Sequence, residues 1–561
     1  MQKIWLKQYP AGVPAEIKTD VYPSLVALLD DSFRTHSDRS AYRFMGASFS
    51  FAAIDDASRA LAAWLQSTGL QRGDRVAIMM PNLPQYPVAV AAVLRAGLVV
   101  VNVNPLYTPR ELEHQLKDSG AKAIVILENF AATLAQVIDR VPTKTVLLAA
   151  MGDMLGPLKG TLVNHLVRSV KKLVPPFDLP AGVASMRFKD ALARGRRMTL
   201  APAAVGPDDI AVLQYTGGTT GVSKGAVLLH RNLVANILQA EAWYQPALKK
   251  IPAGQQVVTV CALPVHHIFG FNSNMMLGLR MGGCNILIAN PRDIPALLKD
   301  LAAQPFHSFP AVSTLFNALA NHPDVDKVDW SHLKISVGGG MAVTQGTARL
   351  WLEKTGCPIC EGYGLSETSP SATCNPVDST AYSGTIGVPM PSTELTLLDD
   401  DGHEVAPGQP GEIAIRGPQV MAGYWQRPDE TAKVMTADGF FRTGDIGTVD
   451  ERGHFRIVDR KKDMILVSGF NVYPNEIEDV LSQLPGVLEC AALGIPDEKA
   501  GEAVKVVIVR KDPALTEAAV RAFCEANLTG YKRPKLVEFR NELPKTTVGK
   551  ILRRELREAH R

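Results

Sequence analysis

An α/β fold built on parallel sheets is predicted for this chain of 561 residues, and three observations predict it. Short β-branched runs recur up to about residue 390, amphipathic helical patterns lie between them, and 46% of the residues are apolar against 20% charged. Apolar strands separated by helices pair in parallel through crossovers, which stacks helices on sheets. At about 150 residues per domain the length suggests three or four folding units.

The strands are expected at Arg75 to Met80, Ala123 to Leu127, Ile210 to Leu213, Val257 to Ala262, Ile286 to Ala289 and Ile335 to Val337. One helix is marked at its start: Thr108 as cap, Pro109 at the first helical position and Glu111 three residues past the cap form a capping box, which sets a helix near Pro109 to Ser119. From about Pro391 the texture changes to alternating strands and tight turns, with strands at Glu394 to Leu398, Glu412 to Arg416 and Phe455 to Val458 and a turn at Asp399 to Gly402. That predicts an antiparallel β subdomain over about 391–458. The charged run Asp459-Arg-Lys-Lys-Asp463 is the candidate linker to a separate unit of about 100 residues that includes a strand at Val504 to Val509.

Charge narrows the function. The 59 Lys and Arg against 56 Asp and Glu leave a net +3, too little for a broad nucleic-acid footprint, and small-molecule chemistry is the better expectation. The most apolar stretch, Val88 to Val101, is interrupted by Arg95 and Gly97 and is short of the roughly 20 residues a bilayer requires. The N-terminus has no uninterrupted apolar run of the secretory kind, so a cytoplasmic location is expected. Seven cysteines scattered from Cys261 to Cys524 are too sparse for a disulfide framework and are read as reduced.

The most unusual segment is Tyr215-Thr-Gly-Gly-Thr-Thr-Gly-Val-Ser-Lys-Gly225, just past a strand. Its glycines leave backbone N–H groups approachable, its hydroxyls add donors and Lys224 adds a cation, which suits a polyphosphate. It is not a Walker A loop, because Lys224 follows Ser223 and precedes Gly225. Two other readings stand beside it: a solvent loop, and an α/β-hydrolase elbow at Gly221-Val-Ser-Lys-Gly225 with Ser223 as nucleophile. Gly338-Gly-Gly340 lets a backbone edge approach a flat ligand or simply makes a turn. Within Glu361-Gly-Tyr-Gly-Leu-Ser-Glu-Thr368, Glu367 is a one-carboxylate candidate for Mg²⁺, the alternative being a solvated turn. The neighbouring His266 and His267 lack metal-ligand spacing, and Cys357-Pro-Ile-Cys360 lacks a second pair. The 162–174 segment carries apolar residues at 162, 163, 166, 167, 170, 173 and 174 with Arg168, Lys171 and Lys172 opposite, a basic amphipathic helix that could pack on the protein, on a second subunit or on an anionic membrane. Lys550 follows a small-residue turn near the end, placed either to reach an active site or to solubilise a tail.

Five of these motifs in order, the 215–225 loop, Tyr363 to Thr368, Thr443-Gly-Asp445, Asp459-Arg460 and Pro544 to Lys550, resemble the ANL superfamily of adenylate-forming enzymes over essentially the whole chain. Asp438 to Gly447 running into Phe455 to Lys462 is similar to the signature of its bacterial long-chain fatty acyl-CoA synthetases. That resemblance implies a large N-terminal AMP-binding domain, 1–458, made of two parallel α/β subdomains plus the β subdomain. A small mobile α+β domain, 459–561, would swing about the hinge Asp459. It implies ATP-dependent conversion of a fatty acid to acyl-AMP and then acyl-CoA, feeding β-oxidation, with ATP and CoA as co-substrates and Mg²⁺ as cofactor. Medium-chain or aryl-CoA ligases are the near alternatives, and a non-catalytic acyl carrier a distant one. By the same resemblance the ATP and AMP contacts are Thr216, Gly217, Gly218, Thr219, Thr220, Gly221, Ser223, Lys224, Gly338, Gly339, Gly340, Tyr363, Gly364, Ser366, Glu367, Asp445, Ile457, Arg460 and Lys550. Lys550, His267, Glu367 and Lys224 are the implied catalytic groups, Glu367 the metal ligand, Gly469 a CoA contact, and His266 and Phe271 acyl-pocket residues. His266 stands where the family usually has an aromatic, and Ser366 where it has Thr. A homodimer and peripheral contact with the inner membrane surface also fit the resemblance.

Overall fold

The computed structural model describes residues 3–216, 223–406, 408–460, 463–468, 470–497, 500–546 and 549–558, except the side chains of Arg460 and Glu558. Gly217, Gly218, Thr219, Thr220, Gly221 and Gly469 lie outside this set.

Parallel pairing dominates two large sheets, as the alternation of apolar runs and helices requires. In the first, eight strands run in the order Gly423–Tyr424, Gly225–Leu229, Ile210–Tyr215, Val99–Asn102, Arg75–Met79, Ala123–Leu127, Thr145–Ala149 and Ala184–Arg187. In the second, nine strands include the parallel neighbours Cys284–Leu287, Val258–Cys261, Ser308–Ala311, Ile335–Gly338 and Ile359–Gly364. One apolar core runs from sheet to sheet through the helices Phe51–Ser67, Gln85–Arg95 and His230–Leu248. All of Gln85–Arg95 is buried, which accounts for the apolar stretch at Val88: it is a core helix followed by the strand Val99–Asn102. Arg95 is admitted there because Asp30 and Asp55 pair with its guanidinium.

Most boundaries match the expectations. The helix Pro109–Ser119 forms with its capping box, Glu111 N–H donating to Thr108 Oγ1 at 3.4 Å and Thr108 N–H to Glu111 Oε2 at 2.8 Å. The strand expected at Ile286 to Ala289 instead spans Cys284–Leu287, because pairing with Val258–Cys261 begins at Cys284. The 162–174 helix is also revised. Regular helix covers Pro157–His165 and passes into a wider π-type turn, Leu166–Val170, and only Val163 and Val167 of the expected apolar face are buried. All seven cysteines are free and buried. No helix among the described residues is long and apolar enough to cross a membrane.

The antiparallel strands Glu394–Leu398, Gly411–Arg416, Phe441–Val449 and Phe455–Arg460 form the expected β subdomain. Beyond it lies a smaller sheet. Its strand Gly501–Arg510 pairs with Val487–Asp497, Ile465–Val467 and Leu536–Arg540, and helices Pro474–Ser482 and Glu517–Asn527 accompany it. Its apolar clusters contain only residues beyond 464.

Candidate active site

A cavity of about 930 Å³ opens where the second large sheet, the β subdomain and the C-terminal sheet meet. Gly340, Tyr363, Gly364, Asp445, Ile457 and Lys550 all line it. They converge because strand ends do: Ile335–Gly338 and Ile359–Gly364 are adjacent parallel strands whose C-terminal ends share one edge. Gly338 is required by packing, since a Cβ there would fall 2.6 Å from Val343 and 2.7 Å from Ile359, and Gly340 takes a φ of +78° that favours glycine. Gly339 faces the Phe269 ring, 3.0 Å from where its Cβ would be.

Tyr363 donates to Asp445 Oδ2 at 2.6 Å, which ties the sheet edge to the β subdomain, and Ile457 packs in the same apolar cluster as Tyr363. Asp445 pairs with Arg460 in strand register. Glu361, two residues before Tyr363 and therefore on the same strand face, also lines the cavity. Burial pushes its carboxyl up to about 8, although the Val343 N–H and the Tyr382 hydroxyl, 3.1 and 3.3 Å away, act the other way. Glu361 is a site residue missed in the sequence, where only its i, i+2 spacing to Tyr363 marks it.

Folded Glu361 keeps its proton between about 4.5 and 8, where the unfolded chain has already released it, so this group makes stability fall as pH rises through that window. Glu361→Gln should therefore flatten the loss of Tm between pH 5 and 8 relative to the unmodified chain. Parallel melting curves across that range would contradict the assignment.

The 215–225 segment closes a hairpin. Ile210–Tyr215 and Gly225–Leu229 are antiparallel, and Thr216 N–H donates to the Lys224 carbonyl at 3.0 Å. A hydrolase elbow needs strand followed directly by helix, and the Ser223 hydroxyl is committed to the Thr216 carbonyl, so the nucleophile reading of Ser223 fails here. Lys224 pairs with Glu430 and sits 5.3 Å above the Tyr424 ring. Lys224 and Lys433 hold the Glu430 carboxyl at about 2. Tyr424 donates in turn to Glu367 Oε1 at 2.8 Å, in the turn Ser366–Thr368. The buried Glu367 and the cationic Lys224 thus share one aromatic neighbour.

His267 is half-buried, and burial first, then the charge of Lys550, lowers it to about 4. It is neutral at physiological pH, and its Nδ1 accepts from Phe269 N–H at 3.3 Å, which leaves Nε2 as the donor. His266 is buried and lowered to about 3 by burial and by His267, and neither of its ring nitrogens has a partner among the described residues. Phe271, expected at an acyl-pocket mouth, is fully buried in the main core and, like His266 and His267, is not among this cavity's lining residues.

Lys550 is carried on a turn that Thr546 closes from both sides: Thr546 N–H donates to the Lys550 carbonyl at 2.8 Å and Lys550 N–H to Thr546 Oγ1 at 3.1 Å. Thr314 of the large domain donates to the Gly549 carbonyl at 3.2 Å and docks the turn over the cavity. Asp459 is fully buried. It accepts from Asn475 N–H at 3.0 Å and lies 3.9 Å from the Arg553 guanidinium.

Residues 29–425 match the AMP-binding enzyme family, and 476–550 match its C-terminal domain. The chain is 56% identical to a long-chain-fatty-acid–CoA ligase of Escherichia coli O157:H7, covering 100% of this chain and 99% of that one. It is 50% identical to a protein of the same name from Haemophilus influenzae, over 100% and 98%. Among solved structures, ATP-bound MatB from Rhodopseudomonas palustris superposes with a TM-score of 0.80 at 31% identity, over 95% of this chain and 99% of that one.

Proposed function

Because the chain belongs to the AMP-binding enzyme family, we propose that its cavity is the site where a fatty acid and ATP become acyl-AMP and the acyl group then passes to CoA. The protein is an ATP-dependent acid–thiol ligase for long-chain fatty acids. A carboxylate is a poor electrophile, so it first attacks the α-phosphate of ATP and expels pyrophosphate; the CoA thiol then attacks the carbonyl and expels AMP. The first step brings an anion against an anion, and what lowers its barrier is fixed positive charge in a site sheltered from water.

Lys224 and Lys550 are the cations assigned to that work, Lys224 on the outer phosphates and Lys550 between the carboxylate and the α-phosphate. Neutral His267, with Nε2 as donor, suits a carboxylate oxygen without competing as a base. Tyr363 and Gly338 to Gly340 are assigned to the adenine, and Asp445 with Arg460 to the ribose. The buried Glu367, anchored through Tyr424, fits a hard cation, so Glu367 would hold Mg²⁺. Bound Mg²⁺ would supply charge neutralisation across the phosphates. Asp459 is assigned as the hinge between the 1–458 and 459–561 domains. A cytoplasmic location, reversible contact with the inner membrane surface and a homodimer belong to the same proposal.

The observation that carries the reading is the Thr314 bond to the Gly549 carbonyl, which holds the 546–550 turn against the large domain with Lys550 among the residues lining the cavity. Its test is pyrophosphate release with fatty acids of graded length. Release that depends on long-chain acids is expected, and none with palmitate, ATP and Mg²⁺ would overturn it.

The Lys224–Glu430 pair has a kinetic consequence. It must open before Lys224 can meet a phosphate, so Glu430→Gln should lower KM for ATP about two- to fivefold with little change in kcat. A raised KM would make Glu430 a support for Lys224 instead of its competitor.

A further inference from the structure

The helical segment from Pro157 to Leu173 is held firmly on one side and left bare on the other. On the inner side a Cβ at Gly160 would fall 2.3 Å from the Gly152 carbonyl oxygen, and Asn164 Oδ1 accepts from Gly152 N–H at 2.7 Å. Arg168 reaches Glu128 at 2.7 and 2.9 Å, and Asn129 donates to the Leu173 carbonyl at 3.0 Å. The outer side shows Leu158 89%, Leu162 59%, Leu166 39%, Val170 61% and Leu173 52% exposed. These are five of the eleven large hydrophobics exposed among the described residues, concentrated in 16 positions. Met45, 48% exposed, adjoins them, since its carbonyl accepts from Lys159.

Charge tells what covers the stripe. From Met154 to Phe177 there is no Asp or Glu, while Lys159, Lys171 and Lys172 are exposed. Among the described residues neither Lys171 nor Lys172 has an ion-pair partner. A second copy on the same patch would set these lysines against their equivalents with no acidic residue in the segment to answer them, because a two-fold interface is self-complementary. We propose that this face docks on an anionic phospholipid bilayer, its leucines entering the boundary between headgroups and acyl chains and its lysines meeting lipid phosphates. The inference deepens the proposed function, since it rests on a substrate that partitions into membranes.

The test uses the full chain without ATP, CoA or fatty acid, sedimented with phosphatidylcholine vesicles with and without about one-third phosphatidylglycerol. Binding to the anionic vesicles that weakens with salt is expected. Leu162→Gln with Val170→Gln should weaken it at least about tenfold. Lys171→Gln with Lys172→Gln should do the same, each lysine near the surface being worth about fivefold. Both variants should convert albumin-presented fatty acid at the unmodified rate. Vesicle binding unaffected by either pair would overturn the proposal. So would a concentration-dependent dimer that Leu162→Gln with Val170→Gln abolishes, which would give the face to a second copy. Intact anionic-vesicle binding in a chain that activates no fatty acid would sink the proposed function and leave the docking face standing.

Discussion

Lys550→Ala should slow acyl-AMP formation by about 10²-fold or more, the equivalent of roughly 3 kcal/mol for one lost cation in a sheltered site, and leave the conversion of supplied acyl-AMP and CoA within about threefold. The asymmetry follows from the charges. Only the first step drives a carboxylate against a triphosphate, whereas the second replaces AMP on a carbonyl. The backbone bonds that close the 546–550 turn, and the Thr314 bond to Gly549, do not involve the lysine side chain, so alanine removes the cation and keeps the loop. Pyrophosphate release measures the first step, and thioester formation from synthetic acyl-AMP the second. Equal loss in both would strip Lys550 of its assigned place.

Glu367→Ala is expected to cost about 10²- to 10³-fold in pyrophosphate release and to raise the Mg²⁺ concentration needed for half-maximal rate. The carboxylate is buried in a turn fixed by the Met421 N–H bond to its own carbonyl, 2.8 Å, and by Tyr424 at its side chain. The backbone bond survives truncation. Tyr424→Phe separates the roles: it keeps the carboxylate and removes one anchor, so its loss should be several-fold smaller. If Glu367→Ala retains the ordinary Mg²⁺ requirement, the group is structural.

Features encoded locally were legible in the chain. Thr108, Pro109 and Glu111 suffice to start a helix because a capping box needs only residues three apart, and Glu394–Leu398 and Gly411–Arg416 are short apolar runs set off by the turn at Asp399 to Gly402. Composition alone suggests a phosphate cradle in the glycine-rich loop, whose Gly217 to Gly221 lie outside the described residues. What escaped depends on residues distant in sequence. Glu430 lies 206 positions from Lys224, and Glu361 is perturbed by burial, which only the folded chain supplies. Periodicity at 162–174 groups its apolar residues on one face, but the chain divides them, burying Val163 and Val167 and exposing Leu162, Leu166, Val170 and Leu173, because period carries no information about what packs against a helix. Phe271 was placed by nearness to His267 in sequence, and nearness does not say whether a ring is buried in the main core, where this one lies.

The joint between the C-terminal unit and the rest is made of separate polar contacts: Gln345 N–H to Asp479 at 3.1 Å, Asn317 to the Leu488 carbonyl at 2.9 Å, Lys511 to Asn321 at 2.5 Å, and Thr314 to Gly549. No apolar cluster of described residues crosses it. Water can replace each such bond at a small net cost. On the proposal that 459–561 turns about Asp459, a nucleotide or thioester in the cleft would therefore have only such exchangeable bonds to outweigh in favouring one orientation over another.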